Sequence, residues 1–128
     1  MLNLHQKFCR ETFYDGKLVD FKPVYQDNFN FAYDVIDVIA RAEPERRAML
    51  WCNDKGEEHT FTFSDLEKYS NRAANLFTKL GIGRGDTVVL ILKRHSAFWF
   101  AIMGLHKVGA VGIPATTLLP KNDLVYRF

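Results

Sequence analysis

Cysteine is scarce: Cys9 and Cys52 are the only two, and they stand in no spaced pattern. That excludes a disulfide framework and fits a reducing compartment, so a cytoplasmic location is expected. Long apolar runs are missing too. The longest, AFWFAIMGL from Ala97 to Leu105, has nine residues, whereas a helix that crosses a bilayer needs roughly 20. No membrane span is expected. The start, MLNLHQKFCRETF, lacks the charged stretch, apolar core and small-residue cleavage site of an export signal, and export is not expected. There is also no block of one charge. Seventeen basic residues face fifteen acidic ones, and basic side chains cluster no further than pairs such as Lys93-Arg94. No nucleic acid partner is expected from that balance.

What is present is apolar content. Of the 128 residues, 48% are hydrophobic, enough for the core of one ordinary domain. Residues 1–29 carry scattered aromatics (Phe8, Phe13, Tyr14, Phe21, Tyr25) without a sustained period, broken by Asp15-Gly16 and Pro23. They predict an arm laid over a body, with room for one short helix. His5 and Cys9, four apart, suit two metal ligands on one helix face, but no second pair accompanies them and no metal is expected. From Asn30, a capping residue, the stripe Phe31, Val35, Ile36, Val38 and Ile39 predicts a helix to about Ala42, stopped by Pro44. Ala48–Cys52 and His59–Phe63 flank Asn53-Asp54-Lys55-Gly56, a hairpin pattern.

Ser64-Asp65-Leu66-Glu67 reads as a capping box opening a helix whose apolar positions are Leu66, Tyr69, Ala73, Leu76, Phe77 and Leu80. That helix runs into LGIGRGDTVVLIL, Leu80 to Leu92, whose glycines imitate a phosphate-binding loop. The order of elements argues against one. A phosphate cradle follows a strand and opens a helix, where free N–H groups meet the anion. Here a helix ends at Gly81, and Gly83, Gly85 and Asp86 turn into a strand from Thr87 to Leu92, so the free groups are carbonyls. Ser96 then caps a helix that is apolar nearly all round (Phe98, Trp99, Phe100, Ile102, Met103, Leu105) and ends at Gly109. Ala110–Ile113 follows as a strand closed by Pro114. The predicted architecture is α/β: an N-terminal arm, a β-hairpin and a parallel βαβ unit. Asn122 is placed to cap a last helix beginning Asp123 and running to Phe128.

Ligands of open parallel sheets gather at the carboxyl ends of strands, here Lys93-Arg94-His95 and Pro114 to Lys121. Lys93 and Arg94 suit either a phosphate or a solvated rim. His95 offers a base, with no carboxylate or nucleophile near it in sequence to complete a relay. Thr116-Thr117-Leu118-Leu119-Pro120-Lys121 imitates the end of a phosphate loop, but Leu118 stands where glycine would let a phosphate approach the backbone.

Two separated blocks carry a resemblance. FTFSDLEKYSNRAANLF followed by GIGRGDTVVLIL resembles the first core motif of AMP-forming acyl-CoA synthetases, and MGLHKVGAVGIPATTLLP resembles their second. The run FNFAYDVIDVIARAEPERRAMLWCNDKGEEHTFTF, with PATTLLPKNDLVYRF, is similar to the medium-chain, acetyl-CoA-synthetase-like branch. The resemblance covers about Phe29 to Phe128. His95 and Ser96 depart from it, replacing a small or proline-containing turn. It implies that residues 30–128 are the N-terminal portion of a layered α/β/α adenylation domain, cut short, with residues 1–29 as its arm. For the parent it implies an ATP-dependent ligase of fatty acid metabolism using ATP, Mg²⁺, coenzyme A and a carboxylic acid. Thr116, Thr117 and Leu118 are the residues it implies near coenzyme A. No catalytic residue or metal ligand is implied on this chain, because those motifs lie downstream in the family. The alternative is a free-standing interaction or regulatory module. With an almost wholly apolar helix and an uncovered strand edge, the 128 residues alone are expected to be inactive and to self-associate.

Overall fold

The computed structural model describes Leu2 and residues 4–127. Residues 1–29, expected as an arm with room for one short helix, contain a β-hairpin as well as that helix. One helical turn, α1 (His5–Phe8), leads into an antiparallel hairpin, β1 (Cys9–Tyr14) and β2 (Lys17–Pro23). His5 and Cys9 therefore do not share a helix. The hairpin turns on Asp15-Gly16, with φ of 48° and 70°, the paired left-handed residues of a two-residue turn whose twist matches that of the strands. It is exposed along nearly its whole length. The arm is tied to the body by the Leu2 N–H, which donates to Glu43 Oε1 at 2.7 Å.

Asn30 caps the next helix as expected. Its Oδ1 accepts from the Ala32 and Tyr33 N–H groups at 3.0 and 3.4 Å, while its own N–H donates to Asp34 Oδ2 at 2.7 Å. The first turns, Ala32–Asp37, are wound as a π-helix before α2 (Val38–Ala42) continues in α geometry. β3 (Arg47–Cys52) and β4 (Glu58–Thr62) form the expected hairpin. Asn53 Oδ1 closes its turn by accepting from the Lys55 and Glu57 N–H groups at 2.9 and 3.1 Å.

The long helix α3 (Phe63–Lys79) begins earlier than the Ser64 reading expects. Thr62, not Ser64, is the cap. The Thr62 Oγ1 accepts from the Asp65 N–H at 3.2 Å and Asp65 Oδ2 accepts from the Thr62 N–H at 3.0 Å. Ser64 already lies in the first turn, so the cap's contribution of about 1 kcal/mol belongs to Thr62. Thr62 ends a strand in extended geometry, which is the backbone a cap requires, and a strand-to-helix junction without a loop hides that from sequence patterning.

β5 (Thr87–Leu90) and β6 (Val111–Pro114) pair in parallel around α4 (Ala97–Val108), the expected βαβ unit. β5 is shorter than the expected Thr87–Leu92, since Ile91 and Leu92 leave the sheet and are exposed. Ser96 makes no side-chain cap, being itself helical in φ and ψ. Gly109 ends α4 at φ 75°, as a left-handed cap. The last helix, α5 (Lys121–Arg127), starts before Asn122, which is therefore inside it. The expected continuation to Phe128 lies outside the described residues.

Among the described residues two apolar clusters make the core. Ala32, Ile36, Leu66 and Met103 meet where the π-turn, α3 and α4 converge, and Leu90, Leu105 and Ala110 meet under the parallel strands. Between α3 and α4 the backbones come close because Gly104 faces Ala73. Lys107, on the buried face of α4, reaches across to the end of the π-turn. Its Nζ donates to Asp37 Oδ1 and Oδ2 at 2.8 and 2.9 Å and to Asn71 Oδ1 at 2.7 Å.

The neighbouring residue is less well provided. His106 Nδ1 is buried without a hydrogen-bond partner among the described residues, while the His106 carbonyl accepts from Asn30 Nδ2 at 2.7 Å. Burial holds the imidazolium form of His106 below the usual histidine range. As pH falls below the unfolded value of about 6.5, the unfolded chain therefore takes up a proton that the folded chain refuses. Stability is expected to decline there, by at most about 1.4 kcal/mol per pH unit from this group. Denaturant midpoints measured from pH 7.5 to pH 5 should show that decline, and it should flatten in His106→Leu. An unchanged slope in the variant would assign the acid sensitivity to other groups.

Candidate functional site

The glycine-rich turn after α3 makes no anion cradle. The Gly81 N–H donates to the Thr78 carbonyl at 3.0 Å, Ile82 to Phe77 at 2.9 Å and Gly85 to Gly109 at 2.9 Å. The Gly83 N–H donates to Asp86 Oδ2 at 2.8 Å. The donors a phosphate would need are spent on closing the turn, and Gly81 and Gly85 are there for their φ of 81° and 88°.

A cleft of about 610 Å³ opens instead at the carboxyl ends of β5 and β6. One wall is Leu92 to His95, which leaves β5. The second is Ala115 to Leu118, which leaves β6. The third, Trp51 to Asp54, comes from the tip of the β3–β4 hairpin. The parallel ladder continues into the second wall, since the Ala115 N–H donates to the Leu90 carbonyl at 2.9 Å. Beyond it, Thr116 turns the chain: Thr116 Oγ1 accepts from the Leu118 N–H at 3.2 Å. Thr116, Thr117 and Leu118 thus all lie on the cleft, with Leu118 86% exposed at its mouth.

Lys93, Arg94 and His95 also line the cleft. Arg94 has φ 41°, a left-handed backbone that costs a non-glycine residue about 1–2 kcal/mol. Its carbonyl accepts a hydrogen bond from Trp51 Nε1 at 2.7 Å. The indole lies against the His59 ring, with centroids 5.6 Å apart and planes at 26°. The hairpin wall is the part of the site that motif reading misses. Asn53-Asp54 reads only as a turn, and nothing local brings Trp51 to a loop 43 residues away.

Chemically, the cleft combines cations, one carboxylate at Asp54 and the Thr116 and Thr117 hydroxyls. That set suits an anionic ligand with apolar parts, such as a phosphate-bearing nucleotide derivative. Among the described residues no group of three or more His, Cys, Asp or Glu side chains is placed to hold a metal.

Residues 36–128 match the model of a known family, described as AMP-binding enzyme. The chain belongs to that AMP-binding enzyme family. It is 37% identical over 120 residues to the human mitochondrial acyl-coenzyme A synthetase ACSM3, covering 89% of this chain and 20% of that protein. Among solved structures it is similar to the fatty acyl CoA synthetase of Mycobacterium tuberculosis, with TM-score 0.68 and 26% identity over 77% of this chain and 19% of that one. It shares the fold of the acetoacetyl-CoA synthetase of Streptomyces lividans, with TM-score 0.71 and 22% identity over 78% of this chain and 15% of that one. The chain spans about a fifth of the length of the curated relatives it matches. The matched residues are the N-terminal part of that family's domain. Among the described residues no helix is long and apolar enough to cross a membrane.

Proposed function

We propose that these residues are the N-terminal portion of an AMP-forming acid–thiol ligase. The parent would join a carboxylic acid to ATP, releasing pyrophosphate, and then pass the acyl group from the adenylate to the sulfur of coenzyme A, releasing AMP. Residues 1–29 would be its arm and 30–128 the start of its adenylation domain. The observation that carries this reading is the 37% identity to an acyl-coenzyme A synthetase over 89% of the chain. In this reading the cleft receives part of coenzyme A. Thr116, Thr117 and Leu118 form the wall along which the thiol ester's carrier passes, and Lys93 and Arg94 face its phosphates. A fatty acid is the proposed acyl donor.

The full-length protein is expected to exchange pyrophosphate into ATP only when a carboxylic acid is added, and to form acyl-CoA on addition of coenzyme A. The 128-residue chain should do neither. Exchange independent of any acid would refute the ligase reading. The cytoplasm is the proposed location, in keeping with two free cysteines. The named human relative is mitochondrial, and fractionation of the host cell separates the two.

One observation favours the second reading, an interaction module. The β1–β2 hairpin shows Phe13, Tyr14, Leu18, Val19 and Phe21 to solvent, and such surfaces associate. Either reading supports self-association of the 128-residue chain. A stop codon after Phe128, together with a monodisperse 14.8 kDa species in light scattering, would refute both the ligase parent and the association.

A further inference from the structure

We propose that Trp51 is a positioning residue of the cleft, whose indole N–H holds the Arg94 carbonyl so that Lys93 and Arg94 are presented together to a phosphate-bearing ligand. The inference rests on the reading of the cleft as the coenzyme A approach, and it concerns a residue outside both core motifs. Three observations carry it. The Trp51 Nε1 to Arg94 carbonyl distance is 2.7 Å, and this bond joins two separate walls of one cleft. Arg94 stands at φ 41°, a backbone that an arginine holds only where surrounding contacts determine it. The indole is itself oriented, stacked on His59 from the neighbouring strand.

The chemistry follows from the geometry. The loop after β5 has left the sheet, so no ladder bond fixes the peptide that follows Arg94. A left-handed residue reverses the local direction of the chain and decides where the cations on either side of its peptide point. With the bond made, Lys93 and Arg94 line one wall. Without it, the loop relaxes toward ordinary right-handed or extended backbone and the two cations part. A ligand that uses its phosphates would lose affinity, whereas a ligand without phosphates would not register the change.

The test uses the full-length protein with coenzyme A and with pantetheine, the same thiol without phosphates. Trp51→Phe keeps the ring stack on His59 and removes the N–H. It should raise KM for coenzyme A about tenfold, the upper end for one lost hydrogen bond, and KM for pantetheine less than about twofold. Amide hydrogen exchange at Arg94 and His95 should quicken. In a background with both Lys93→Ala and Arg94→Ala the same change should add less than about twofold, because Trp51 then has no cation left to position. Should Trp51→Phe fold poorly, benzothienylalanine at position 51, with sulfur in place of the N–H, removes the same bond in the same shape. Equal KM changes for the two thiols, or an unaltered KM for coenzyme A with unaltered exchange at Arg94, would overturn the proposal. A wild-type protein that uses neither thiol would instead overturn the ligase reading, and the positioning role with it.

Discussion

Replacing Lys107 by methionine is expected to destabilise the fold by about 3–5 kcal/mol, the usual cost of leaving one partner of a buried ion pair alone. The Lys107 side chain is 0% exposed and that of Asp37 3%. Every donor on Nζ has an acceptor, two on Asp37 and one on Asn71, and the Tyr33 ring centroid lies 5.3 Å away. The pair is therefore fully satisfied as it stands. The variant would leave a carboxylate in an apolar site with no cation. Against a total stability of about 5–15 kcal/mol for a typical domain, that is a large share. Urea midpoints should fall steeply for Lys107→Met and for Asp37→Leu alone, and recover most of the loss in the double variant, which buries no charge. A double variant as unstable as the sum of the singles would show that the two residues do not act as a pair.

Gly104→Ala is expected to destabilise, although alanine is the better helix former. In an exposed helix the change would gain about 1 kcal/mol. Here a Cβ on Gly104 would stand 2.7 Å from the Ala73 Cβ and 2.9 Å from the Ala74 backbone nitrogen. Two of its three nearest atoms are backbone, so α3 would have to move rather than one side chain turn. Overpacking of this kind costs about 1–3 kcal/mol, and Gly104→Val should exceed Gly104→Ala. Adding Ala73→Gly removes only the nearest carbon and should restore only part of the loss. Thermal melts of the three variants check the order, and a stabilised Gly104→Ala would mean that the helices separate freely at this crossing.

Most elements are legible in the sequence because their causes are local. Gly81 and Gly109 end helices through a left-handed cap, Asn30 opens one through its own oxygen, and Asn53 to Gly56 closes a hairpin. The errors have local causes as well. Asp15-Gly16 is a strong hairpin turn, but the strands beside it bury neither face, so their residues lack the alternation that marks a strand. Ser64 resembles a cap because the sequence shows Ser-x-x-Glu, whereas the bonds run between Thr62 and Asp65. The difference is the extended backbone at Thr62, inherited from β4.

The site divides along the same line. The sequence by itself determined that two strand ends carry Lys93-Arg94-His95 and Thr116-Thr117-Leu118, since each segment follows its strand directly and a parallel pair brings like ends together. It determined too that the glycines before β5 end a helix instead of opening one, and element order decides which backbone groups are free. Only the tertiary structure decided that the β3–β4 hairpin closes the cleft, that Trp51 holds Arg94, and that Lys107 in an apolar helix meets Asp37. Those contacts span 43 and 70 residues. No periodicity encodes a partner at such a distance, because it is chosen by how α3 and α4 pack and not by the chain on either side of it.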